Sequence, residues 1–254
     1  LEEFPGESQG MHGVANFEFA PLGSSSLAST SGLSYVSSVN LENMSEQELW
    51  ERLARALTFD LPYYRGGNPF TPNKQAAVLV LFHIGQSGPS ILMTKRTDHV
   101  ESHKGQMAFP GGMVERHDKS EGDPLKAAAK RETEEEVGIS SQHYDVVGAL
   151  PEIRIPSGFE VTPFVALGRK KEVIELRLNP FEIEKAYWLP ISEIVSDGVY
   201  RQEWHEALGQ RFRIHVFETR GDRIWGATGA ILHNLIERLR LSLIHISEPT
   251  RQLC

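Results

Sequence analysis

Two periods run through the hydrophobic positions of this chain, and each marks a different kind of element. Leu49, Leu53 and Leu57 recur at spacing four behind Ser45-Glu-Gln-Glu48, a capping-box pattern that predicts a short amphipathic helix. Ala76–Ile84 and Ile91–Arg96 are β-rich runs separated by Gly85–Ser90, which predicts a hairpin. Further strands are predicted at Tyr144–Leu150, Glu160–Leu167, Val173–Arg177, Lys185–Trp188 and Arg211–Glu218, and a short helix at Pro190–Val195. Ala227–Leu239 reads as a longer helix with Ile231, Leu235 and Leu239 on one face.

The best-marked helix runs from Asp123 to about Val137. Asp123 suits the N-cap, Pro124 the first helical position and Gly138 the residue that ends the helix. Leu125, Ala129, Thr133 and Val137 form its expected inward stripe. Strands and helices intermingle without a regular βαβ repeat, so the expected class is α/β (α+β), a mixed sheet flanked by helices.

Composition divides the 254 residues unevenly. Eight of the eighteen residues from Pro21 to Ser38 are Ser, and residues 1–44 are expected to be a disordered segment. A mitochondrial transit peptide is disfavoured, because residues 1–40 hold Glu2, Glu3, Glu7 and Glu18 and no Lys or Arg. Pro62–Asn73 reads as a loop. Leu241–Arg251 resembles the translation of a common sequencing-library adapter, so 45–240 is taken as one domain and 241–254 as a non-native or disordered tail.

The net charge of −8 disfavours a nucleic-acid binder that neutralises phosphates over a broad surface. The only cysteine, Cys254, leaves no disulfide framework and no Cys-based metal site. The longest wholly apolar run, Ala76–Phe82, is too short to span a bilayer as a helix. A soluble intracellular protein is expected, cytoplasmic first, with mitochondria or peroxisomes as alternatives and a homodimer left open.

Glu132, Glu135 and Glu136 sit at i, i+3 and i+4, so their carboxylates converge near the C-terminal end of the acidic helix. Like charges repel there and the helix dipole disfavours anions, whereas a divalent cation would reverse both effects. A solvated Glu-rich face is the plainer alternative on the glutamates alone.

The wider spacing is more specific. Arg131-Glu-Thr-Glu-Glu-Glu-Val-Gly-Ile139 resembles the core of the Nudix box, Gly-x5-Glu-x7-Arg-Glu-U-x-Glu-Glu-x-Gly-U, with U a bulky apolar residue. Arg131, Glu132, Glu135, Glu136, Gly138 and Ile139 match it. Counting back from Arg131 leads to Asp123 where the pattern has Glu, Thr133 replaces the first U, and the loop after Gly112 carries an insertion of about four or five residues. Leu92–Gly112 is similar to the extra signature of Nudix hydrolases that cleave coenzyme A, through Leu92, Thr94, Arg96, Gly105, Phe109, Pro110, Gly111 and Gly112. Thr97 stands where that signature has Ser or Ala, and Glu101 where it has an Arg suited to a 3′-phosphate.

The resemblance implies a Nudix α/β/α sandwich and Mg²⁺- or Mn²⁺-dependent hydrolysis of a nucleoside diphosphate-linked compound, coenzyme A or its derivatives first. Glu132, Glu135, Glu136 and the Gly112 carbonyl are the implied metal ligands, and Glu132, Glu135 and Arg131 the catalytic set. Arg96, His103, Gln106 and Phe109 are the implied substrate contacts, while Phe159, Trp188 and Trp225 read as core residues rather than stacking platforms. Another nucleoside diphosphate derivative, NADH or ADP-ribose, is the alternative substrate; a non-catalytic Nudix binding module is the alternative class.

Overall fold

The computed structural model describes residues 44–58, 74–85, 87–99, 103–155, 158–169, 175–207 and 209–244. The expectations for residues 1–43, for the 62–73 loop, for Glu101 and for 245–254 lie outside them. Helix α1 (Glu46–Thr58) begins with the capping box: the Ser45 and Glu48 backbone N–H groups donate to each other's side chains at 2.8 and 3.2 Å. Strands β1 (Lys74–Gly85) and β2 (Gly88–Arg96) form the hairpin, closing at Gly85 opposite Gly88. The chain continues through β3 (Met107–Ala108) and β4 (Gly111–Met113) to helix α2 (Pro124–Val137). Then follow β5 (Tyr144–Ala149), β6 (Ile153–Arg154), β7 (Phe159–Gly168), β8 (Ile183–Pro190) and the single-turn helix α3 (Ile191–Ile194). Strands β9 (Tyr200–Ala207), β10 (Gln210–Thr219) and β11 (Asp222–Ile224) lead into α4 (Gly226–Ile244).

Among the described residues, eight strands make one mixed sheet with the path β3-β2-β1-β7-β5; β4 also pairs with β1, β6 with β7 and β8 with β2. The β1–β7 pair is parallel and the others antiparallel. Alternation along β1 separates two cores. Ala77, Leu79 and Leu81 pack with Ala129 and Val137 of α2, whereas Val80 and Phe82 pack with Leu49 and Leu53 of α1 and Leu235 of α4. Helices therefore cover both sheet faces. On α4, Arg238 is 3% exposed and donates to the Ala56 carbonyl at the end of α1, fastening the two helices.

Helix α2 follows its sequence signals closely. Asp123 accepts from the Lys126 N–H at 3.1 Å, Pro124 opens the helix, and Gly138 closes it in the left-handed region with φ 74°. Ala129, Thr133 and Val137 are fully buried.

Two expectations need correction, and one long strand was not foreseen. Residues 175–177 are not a strand; the N–H groups of Arg177 and Asn179 instead donate to the carbonyls of Val137 and Glu136. The free carbonyls at the end of α2 outcompete sheet pairing for this backbone. The β9 strand, absent from the sequence reading, pairs with β10 in a second, three-stranded sheet of order β11-β10-β9. Helix α4 runs past Leu239 to Ile244, with Ser242 fully buried.

Asp123→Ala should remove a cap and no charge from the acidic cluster. A loss of about 0.5–2 kcal/mol in unfolding free energy is expected with turnover unchanged, measured by denaturant titration and a rate assay.

Candidate metal and catalytic site

The site forms where β1, β2 and β8 meet the C-terminal half of α2. On β4, Gly112 pairs opposite Ala77, and a Cβ at Gly112 would sit 2.2 Å from Glu132 Oε1. Only glycine allows the Glu132 carboxylate to lie this close to the strand. The Gly111 N–H donates to Glu136 Oε2 at 3.3 Å. At the end of β2, Arg96 pairs opposite Ile183, which brings Arg96 beside Glu182, the residue before it. Arg96 Nη1 lies 3.2 Å from Glu136 Oε1.

Glu132, Glu136 and Glu182 each offer a carboxylate oxygen, and these lie within 4.8 Å of one another. Glu136 is 2% exposed. Its burial, opposed by Arg96 and reinforced by Glu132, pushes its carboxyl up to about 8 from the usual 4.5. Burial also raises the Glu132 carboxyl, against the pull of Arg131.

Arg131 is the organising cation. It donates from Nη1 to Glu132 Oε1 and Glu135 Oε2, both at 2.9 Å, and from Nη2 to the Met113 carbonyl at 3.1 Å. Its Nε and Nη2 reach the two oxygens of Asp118 at 3.2 Å each. Asp118 is 2% exposed and accepts the Glu115 N–H at 2.8 Å, so the guanidinium fork is held from below.

These distances redistribute the expected roles. Glu132 and Glu136 come together as foreseen, but Glu135 is turned toward Arg131, its side chain 55% exposed, and stays out of the convergent group. Glu182 takes that place. It was missed because it belongs to no local pattern and arrives through the β2–β8 pairing. Asp118 was missed for a related reason. Counting back from Arg131 reached Asp123, which serves as the helix cap, whereas counting five intervening residues forward from Gly112 reaches Asp118. The insertion therefore lies after Asp118.

The expected substrate contacts also separate. Arg96 reaches the cluster through Glu136, and its Nε is buried with no partner among the described residues. His103 Nδ1 and Gln106 Oε1 lie 3.0 Å apart in the exposed turn before β3, with His103 at φ 58°. Phe109 is 2% exposed and packed in the core with α1 and α4, which leaves no ring surface for a substrate.

The donor set fits a hard divalent cation. It is all oxygen, carries more negative charge than Arg96 offsets, and has a glycine cradle beside one carboxylate.

Residues 73–212 match the family model of the NUDIX domain. The chain belongs to the Nudix hydrolase family. Among relatives, it is 36% identical over 169 residues to the uncharacterized Nudix hydrolase NudL of Photorhabdus laumondii, covering 66% of this chain and 87% of the relative. It is 30% identical over 198 residues to the mitochondrial Nudix hydrolase 15 of Arabidopsis thaliana, covering 75% and 68%. A solved structure, the Nudix hydrolase RenU of M. smegmatis, aligns with TM-score 0.37 and 22% identity over 45% of this chain and 69% of that one. This Nudix protein is thus an enzyme, a pyrophosphohydrolase, of a family that uses divalent metals and small nucleotide substrates. No helix among the described residues is long and apolar enough to cross a membrane.

A carboxyl raised from 4.5 to about 8 makes the folded state hold a proton that the unfolded chain releases between those values. Metal-free protein should therefore lose stability as pH rises from about 5 to 8. Glu136→Gln is expected to flatten that loss and to melt a few degrees higher at pH 8, while turnover falls by orders of magnitude. Thermal melts in chelator and a rate assay check both.

Proposed function

We propose that this Nudix hydrolase cleaves the diphosphate linkage of coenzyme A or its derivatives, giving adenosine 3′,5′-bisphosphate and 4′-phosphopantetheine. The observation that supports the reading is that three residues of the signature-like stretch, Arg96, Gly111 and Gly112, adjoin the acidic cluster. Its Arg96 pairs with Glu136, its Gly111 donates to the same carboxylate, and its Gly112 makes room for Glu132. Three residues of the stretch that resembles a coenzyme A signature thus adjoin the candidate reaction centre, while Leu92 and Phe109 serve the core beneath it.

Glu132, Glu136 and Glu182 would hold Mg²⁺ or Mn²⁺, with Glu135 beside them on Arg131. A bound ion would neutralise diphosphate charge and activate the attacking water. The chain supplies the rest. Arg131 and Asp118 fix the orientation of Glu132, whose carboxylate is the candidate acceptor of the water's proton. Arg96, paired with Glu136 and with a buried Nε that has no partner among the described residues, would exchange a carboxylate oxygen for a phosphate oxygen. His103 and Gln106 border the same β2–β3 connection and are assigned to the mouth of the site.

Glu101 favours a second reading, another nucleoside diphosphate derivative such as NADH or ADP-ribose. It stands where the signature has Arg, and its carboxylate would repel a 3′-phosphate. A Mg²⁺-dependent panel of coenzyme A, its 3′-dephospho form, NADH and ADP-ribose, with products identified, separates the two. Coenzyme A should give the highest kcat/KM; clear preference for NADH or ADP-ribose would transfer the assignment. Glu101→Arg is expected to improve coenzyme A relative to its 3′-dephospho form. Glu182→Gln should weaken metal binding and turnover together, whereas an effect on neither would remove it from the ligand set.

A further inference from the structure

Three large hydrophobic side chains are exposed among the described residues, and two of them adjoin the acidic cluster in the chain. Met113, 53% exposed, follows Gly112; Phe181, 82% exposed, precedes Glu182. An isolated exposed Phe is unremarkable by itself. The backbone of Phe181, however, is tied on both sides. Its N–H donates to Asn179 Oδ1 at 3.2 Å, and its carbonyl accepts the Thr97 hydroxyl at 3.0 Å. The Thr97 N–H donates to the next carbonyl, that of Glu182, at 2.8 Å. Thr97 is 7% exposed, so this latch at the end of β2 is sheltered. The same turn is fastened to α2, because the Asn179 N–H donates to the Glu136 carbonyl and its Nδ2 to Glu182 Oε1. A ring with little packing is thus carried on backbone fixed to two elements of the reaction centre. With consecutive Cα atoms about 3.8 Å apart, it lies within roughly 12 Å of the Glu182 carboxylate, a distance a nucleoside can span.

We propose that Phe181 is the stacking platform for the nucleobase of the substrate, with Thr97 positioning it. The proposal rests on the reading that the acidic cluster receives a nucleoside diphosphate. A flat apolar ring takes the base face without hydrogen bonds, while the cluster takes the diphosphate; the ring therefore contributes to binding rather than to bond cleavage.

The test is calorimetric binding of two non-hydrolysable probes in Mg²⁺, α,β-methylene-ADP and methylenediphosphonate, which share the P–C–P unit and differ by the nucleoside. Phe181→Ala should weaken the nucleotide about tenfold or more and leave the diphosphonate unchanged, with Phe181→Trp restoring nucleotide affinity. Thr97→Val should weaken the nucleotide in the same sense, and Thr97→Ser, which keeps the hydroxyl, should not. Nucleotide affinity unchanged in Phe181→Ala, or equal weakening of both probes, would overturn the platform alone. If the wild-type protein binds neither probe, the nucleoside diphosphate reading fails and the platform with it.

Discussion

Three carboxylates bring oxygens within 4.8 Å of one another, and the buried one, Glu136, is 2% exposed, so ionising all three together is costly there. That constraint organises everything around it. The C-terminal end of a helix is already unfavourable for anions, and Glu136 lies in the last turn of α2. The fold answers with a small number of fixed donors: Arg96 and the Gly111 N–H on Glu136, Arg131 on Glu132 and Glu135, and Asn179 on Glu182. These donors leave negative charge uncompensated when all the carboxylates are ionised, and burial pushes the Glu136 carboxyl up to about 8, which favours its protonated form at neutral pH.

The supporting shell explains why two aspartates close together in sequence have different work. Asp118 is buried under Arg131 and fixes the guanidinium that orients two glutamates. Asp123, at the other end of the inserted loop, accepts the Lys126 N–H in the first turn of α2. The insertion lengthens the loop without disturbing either contact, because it falls between them. Loop length costs little when both ends are anchored.

Local signals were the readable part of the sequence. The Ser45–Glu48 box, the hairpin expected around Gly85–Ser90 and the Asp123-Pro124…Gly138 frame each depend on neighbours a few residues away, and each appears in the structure, the hairpin with a tighter turn that closes at Gly88. The edge strand β9 was not readable, since Arg201-Gln-Glu-Trp-His-Glu206 is polar and gains its pairing only from β10. In the site, the glutamates of one helix could be read from helical spacing, but which of them converge could not. Glu135 turns to Arg131 and Glu182 replaces it because of a strand pairing between distant segments. Phe109 matched a signature and proved to be core, a reminder that a motif position can serve the fold of the site without touching its ligand.

If the buried Glu136 carboxyl gives up its proton to accept a divalent cation, metal binding must release that proton, and calorimetry can count it. Mg²⁺ or Mn²⁺ titrated calorimetrically at pH 7, in buffers of different ionisation enthalpy, should release close to one proton per ion. The release should fade above pH 9 and in Glu136→Gln. Metal binding at pH 7 with no proton released, or with the same release from the Gln variant, would contradict the account.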